Sequence, residues 1–249
     1  DLSAKLEATI GWVFAQSSIN DLDRLTDHRN RTIELRSNRP DHAEMSDLEL
    51  WELTQSYLPF HRELFSEHLF VSTLASVPVG VISGVAEAVG RPDLILHLLA
   101  GVGDVDSAEP SYVMWDLSWL VPSSDEFSAG FDRFLFEFGS RGPNEWEGRS
   151  PTWETDPNLA LVAIDRMRAA PGSADPRAHQ AERAAEREEA AATLLSMVEG
   201  DPETYGQLAA AIACSIAWVP ARERTKTNNI RLIQELRMPF RELGRRFVD

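Results

Sequence analysis

Three Asp-Pro pairs, Asp156-Pro157, Asp175-Pro176 and Asp201-Pro202, constrain this chain more than any other feature. Each reads as a helix start. The Asp side chain accepts a hydrogen bond from a free backbone N–H, and Pro at the first helical position has no N–H to leave unpaired. Ser46-x-x-Glu49 and Ser123-x-x-Glu126 read as capping boxes. The apolar spacing agrees. Phe127, Phe131, Phe134 and Phe138 step by four, three and four residues, which is one stripe along a helix, and Trp115 and Trp119 are one turn apart. Runs of β-branched residues with period two are hard to find. The fold class expected is all-α, roughly eight to ten helices with little or no sheet.

Helices are expected near 3–19 and 21–36, and over 47–90 as a long hairpin interrupted near Pro59 and Pro78. Further helices are expected near 92–100, 110–121, 124–138, 157–169, 176–199 and 202–247, the last bent near Pro220. The stretches 37–45, 101–109 and 139–155 read as loops. Ala170-Pro-Gly-Ser-Ala174 reads as a linker between a main helical lobe, 1–169, and a C-terminal helical pair, 175–249, which could also pack as one domain. Asp1 stands where an initiator Met would be, and the chain stops at Asp249 just after Arg245-Arg246, so a piece of a longer polypeptide is expected.

A net charge of −16 on 249 residues disfavours nucleic acid and anionic membranes, both of which need a basic footprint. The one cysteine, Cys214, allows no internal disulfide. It sits in an apolar helical context with no base nearby, as a core thiol would, and this fits a cytoplasmic setting. The stretch from Leu69 to Gly90 is apolar but carries Ser72, Thr73, Ser76, Pro78 and Glu87. It reads as a buried core helix rather than a membrane span. Phosphate-loop, dinucleotide and Cys- or His-based metal signatures are missing, so no metal site is expected.

Two places stand out. The loop 139–155 packs glycines, prolines, arginines and Trp146 and Trp153 behind a strongly apolar helix, and ordering it requires many contacts. It is either a functional loop or a connector whose tryptophans plug the core. The second place is 222–246, which holds eight basic and three acidic residues in an acidic protein. With Arg222 set at zero on a helical wheel, Lys226 falls near 40°, Ile233 near 20°, Leu236 near −40° and Phe240 near 0°, while Arg224, Arg231, Glu235, Glu242 and Arg246 fall on the far side. Arg222 and Lys226 thus continue the apolar stripe. Two inward cations one turn apart call for an anion, either a ligand or buried carboxylates.

At these places the sequence resembles the phosphoenolpyruvate-utilising enzymes, rifampicin phosphotransferase-like branch. The stretches that carry the resemblance are Phe138-Gly-Ser-Arg-Gly-Pro-Asn-Glu-Trp146, Arg149-Ser-Pro-Thr-Trp-Glu154, Asp156-Pro-Asn-Leu159, Gly103-Asp-Val-x-Ser-Ala-Glu-Pro110, and Arg222-Glu-x-x-Lys226 leading to Leu243-Gly-Arg-Arg246. The loop reads Gly-Ser-Arg-Gly, with Ser140 where many relatives have His. The resemblance implies an ATP-grasp domain binding ATP and Mg, a swivelling domain with a phosphorylated histidine, and a helical domain that holds a hydroxylated small-molecule acceptor.

This chain resembles the helical domain. The resemblance implies no cofactor in the chain itself, and it implies that the chain alone is inactive. Arg222 and Lys226 would be the catalytic cations. Arg141, Glu145, Met114, Trp115, Trp119 and Phe138 would be candidate acceptor contacts. The alternative class is a non-catalytic helical scaffold or protein-interaction module.

Overall fold

A computed structural model describes residues 10–11, 23–103, 105–170 and 175–248. Its helices are α1 (Asp23–Ser37), α2 (Asp47–Ala88), α3 (Leu94–Leu99), α4 (Glu109–Ser118), α5 (Asp125–Phe138), α6 (Asn158–Arg168), α7 (Pro176–Met197) and α8 (Pro202–Val248), with a 3₁₀ turn at His42–Glu44. Among the described residues there is no strand, and the fold is all-α. Apart from residues 10 and 11, the helix expected at 3–19 lies outside the described residues.

The capping chemistry accounts for several of these ends. Glu49 accepts from the Ser46 backbone N–H at 2.7 Å while the Ser46 hydroxyl accepts from the Glu49 N–H at 3.3 Å, a reciprocal box at the start of α2. Asp201 accepts from the backbone N–H groups of Glu203 and Thr204 at the start of α8. Two starts differ from expectation. The cap of α5 is Ser124 rather than Ser123: its backbone is extended and its hydroxyl accepts from Phe127 N–H at 3.1 Å. At α6 the carbonyl of Asp156, not its side chain, takes the first bond, from Leu159 N–H.

The expected hairpin over 47–90 is instead one continuous helix, α2, and α8 likewise runs through Pro220. Each Pro removes one rung of the hydrogen-bond ladder. The packing of the turns on either side offsets that local loss.

The described chain groups into two compact units that do not follow the expected division at 170–174. Of the described residues, unit one takes those within 1–23, 68–106 and 176–224, and unit two those within 24–67, 107–175 and 225–249. The two long helices are the reason, because α2 and α8 each contribute a part to both units.

In unit one, Ile82 and Ala86 of α2, Leu94 and Leu98 of α3, Ala190 and Leu194 of α7, and Leu208 and Ala211 of α8 form one core. The apolar part of α2 buries Val71, Leu74, Ala75, Pro78, Ile82 and Ala86 at helical spacing but leaves Leu69 and Phe70 exposed. By length and composition α2 could cross a membrane, and a third of its apolar window is buried. It packs into the core along one face. Cys214 is a buried free thiol, as its context implied.

Two glycines of unit one make a controlled comparison. Gly90 and Gly101 both have positive φ, 74° and 63°. A Cβ on Gly90 would meet open space, whereas one on Gly101 would lie 2.5 Å from the Ala184 backbone nitrogen and the Arg183 carbonyl oxygen. Gly90→Ala is expected to cost about 1–2 kcal/mol, the price of a side chain in left-handed backbone. Gly101→Ala should cost a further ~1–3 kcal/mol, because backbone atoms cannot rotate aside. Urea unfolding of the two variants checks this; equal midpoints would refute it.

In unit two, Met114 and Leu117 of α4, Phe127, Phe134 and Phe138 of α5, and Ala160 and Ile164 of α6 form a second core. The expected aromatic stripe is stacked, with ring centroids 5.9 Å apart for Phe127–Phe131 and 6.1 Å for Phe131–Phe134. A third cluster joins Tyr57, Leu64 and Leu232, with Leu35, Leu53, Phe60 and Leu236 packed against it.

Candidate functional site

The loop 139–155 is an ordered part of unit two. Its two arms pair through Trp153 N–H to the Arg141 carbonyl at 2.8 Å and Glu154 N–H to the Gly139 carbonyl at 2.9 Å. The glycines permit that closeness: a Cβ on Gly142 would lie 2.6 Å from the Pro151 carbonyl oxygen, and one on Gly139 2.9 Å from the Glu154 Cβ. Of the two tryptophans that could plug the core, Trp153 does so, 5.2 Å from Phe134, whereas Trp146 is 44% exposed. Ser140 is buried.

Beneath the loop runs a chain of ionic and polar contacts, all within unit two. Arg39 forks onto Glu235 at 2.6 and 2.7 Å and reaches Glu154 at 2.5 Å. Arg36 meets Glu154 at 3.2 Å, and Gln234 donates to Glu154 at 2.7 Å. Arg237 donates to Gln234 at 2.7 Å and to the carbonyls of Glu145 and Glu147 at 3.0 and 2.9 Å, tying the loop to α8.

Burial opposes the charge on Arg39, but its hydrogen bonds to Glu235 and Glu154 outweigh it and raise its pKa above the usual guanidinium range. Burial likewise opposes ionisation of Glu154, yet Arg39 and Arg36 hold it below the usual carboxylate range. Burial lowers the pKa of Arg237, helped by Arg241 and only partly offset by Glu147 and Glu154.

The candidate residues divide. Arg141, Glu145 and Lys226 come together: Glu145 takes the Arg141 Nε at 2.9 Å on one oxygen and the Lys226 ammonium at 3.5 Å on the other. Arg222 belongs to unit one, is half exposed and meets Glu223 at 2.8 Å. Met114 and Phe138 are core residues of unit two. Trp115 is buried and edge-on to Trp119 at 5.5 Å. Trp119 is 64% exposed and lines a recess of about 350 Å³ with Ser118, Leu120, Val121, Pro122, Met167 and Arg168. A groove of about 530 Å³ between α1 and α2 has Arg31 stacked 3.8 Å over Phe60. No group of three or more His, Cys, Asp or Glu among the described residues could hold a metal.

The assignment of α8's faces needs correction. Arg231 and Glu235, expected on the solvated side, are buried, while Phe240, expected inside, is 49% exposed. Arg224, also expected outside, is mostly covered and lies 3.4 Å from Asp106. From Thr225 to Pro239 α8 buries residues all round, and several of its polar side chains find partners inside, while Thr227 Oγ1, Asn229 Oδ1 and Arg237 Nε have none among the described residues. Asn228 donates to the Leu25 carbonyl, and Asn229 to that of Leu64. A wheel that equates polar with solvated cannot orient such a helix. Arg237 went unassigned in the sequence, although its wheel angle of about 60° shares Lys226's sector.

An all-α domain with a cationic corner under an ordered Gly-Ser-Arg-Gly loop is the class of structure these observations define. Residues 117–223 match the family described as the rifampicin phosphotransferase fourth domain. No curated protein matches the sequence.

Proposed function

We propose that this chain is the acceptor-binding helical domain of an ATP-dependent phosphotransferase that relays a phosphoryl group through a histidine. The family match over 117–223 carries the reading. In the parent enzyme, ATP and Mg would be handled by an ATP-grasp domain and the phosphoryl carried by a phosphohistidine domain of the same chain, in a cytoplasmic setting. This domain would bind no cofactor, nucleic acid or membrane. Its part is to seat the acceptor and to place positive charge where the phosphoryl group arrives. Lys226 would act as a point charge and Arg222 as a fork on phosphate oxygens. The recess beside Trp119, at about 350 Å³, lies in the range of small-molecule sites, and Trp119 and Met167 would take the apolar body of a hydroxylated, aromatic or polyketide-like acceptor.

Titrating the folded chain with such compounds while following tryptophan fluorescence tests this. A saturable change is expected, abolished by Met167→Glu. No saturable change with wild type across the panel would refute the reading.

A further inference from the structure

Arg141 is 8% exposed, and its Nη1 has no hydrogen-bond partner among the described residues. A buried guanidinium N–H without an acceptor is costly and rare, so the position calls for an explanation. Its surroundings supply one. Glu145 divides its carboxylate between the Arg141 Nε and Lys226 Nζ, one oxygen on each, which is how a tetrahedral oxyanion would sit between a guanidinium and an ammonium.

The third cation, Arg237, touches only neutral acceptors and holds the main chain of residue 145 through its carbonyl. The backbone is thereby pinned while the side chain keeps its rotamers. Glu145 meets both Arg141 and Lys226, while the charge of Arg237 is offset from further off by Glu147 and Glu154. The one carboxylate shared by Arg141 and Lys226 leaves Arg141 Nη1 without an acceptor among the described residues.

We propose that Glu145 is an internal stand-in for a phosphate group, and that a phosphoryl-bearing ligand displaces its side chain to bind Arg141 and Lys226. The inference deepens the phosphotransferase reading and rests on it for the choice of phosphate. The displaced carboxylate swings out on its own χ angles, and Arg141 Nη1 gains the acceptor it lacks. Glu145 is in this sense a positioning residue. It keeps the two cations apart and oriented while the site is empty, and it makes weak anions poor occupants.

Calorimetric titration of the chain with inorganic phosphate and with phenyl phosphate, at ionic strength matched by chloride, tests the proposal. Glu145→Gln should bind at least one of the two ~10-fold more tightly than wild type, a gain in keeping with one freed set of charge-assisted hydrogen bonds. Preference for phenyl phosphate marks a phosphorylated acceptor, and preference for phosphate marks the free ion. The gain should vanish in Glu145→Gln/Arg141→Met. Unchanged affinity in Glu145→Gln, or a gain that survives the Arg141 substitution, overturns the proposal.

Should Glu145→Gln lose its helical circular dichroism, Glu145→Asp decides instead. It keeps the charge but retracts it, and tighter binding than wild type is again required. Acceptor-induced fluorescence without an anion gain would defeat this inference alone. An anion gain without acceptor binding would defeat only the acceptor reading.

Discussion

Arg39→Ala is expected to lower the stability of unit two by about 3–5 kcal/mol, the cost of removing one partner from a buried ion pair. Glu235 is 1% exposed and meets Arg39 through both oxygens, so the variant leaves a charged carboxylate buried. Glu154 suffers less, because Arg36 and Gln234 remain against it. Urea unfolding at neutral pH is the measurement, and a loss below about 1 kcal/mol, typical of exposed pairs, would refute the assignment.

The pH dependence carries a sign. In wild type, Glu154 has its pKa lowered by folding, so the stability it contributes is present above the unfolded value and lost as pH falls through the folded one. Arg39→Ala removes one of the two guanidiniums that hold Glu154 ionised, so the variant lacks that part of the contribution, and both proteins lose the contribution once Glu154 is protonated. The stability gap between variant and wild type should therefore narrow as pH falls from neutrality through the carboxylate range.

Lys226→Ala, introduced into the full-length parent enzyme, should slow acceptor phosphorylation by roughly 10²–10³-fold, the usual loss for one electrostatic donor at a transition state. Arg222→Ala should slow it at least about tenfold. Formation of the phosphohistidine from ATP should survive both. Stability should change little for Lys226→Ala, because Glu145 keeps its 2.9 Å contact with Arg141 and Lys226 is partly exposed.

The control must be chosen from the structure. Arg224 is unsuitable, since it is mostly covered and lies against Asp106. Arg241 is exposed and donates to the Arg149 carbonyl at 3.3 Å, so Arg241→Ala should leave transfer intact. If Lys226→Ala unfolds the protein while activity per folded molecule is retained, the lysine serves the fold and not the chemistry.

Much of the site's neighbourhood was legible in the sequence. The density of Gly, Pro, Arg and Trp marked 139–155 as a loop that had to be held by many contacts, and it is. Arg141, Glu145 and Lys226 were each marked as candidates, but nothing in the spacing said that Glu145 would sit between the other two. The network below the loop was not legible at all. Arg39, Glu154 and Glu235 are separated by 115 and 196 positions at their contacts, and no local pattern pairs residues so far apart.

By itself the sequence determined the starts of α2 and α8 and the aromatic stripe of α5, because caps and side-chain spacing act over one or two turns of backbone. Ser46 with Glu49, Asp201 with Thr204, and the phenylalanines of α5 all behave as that local chemistry requires. Only the tertiary structure decided that α2 runs unbroken past Pro59 and Pro78, and that α8 buries Arg231, Glu235 and Arg237. The reason is common to both. A proline's lost rung or a buried charge is unfavourable in isolation and tolerable only when distant residues supply packing or a partner. Those partners are specified by the fold rather than by their neighbours in the chain.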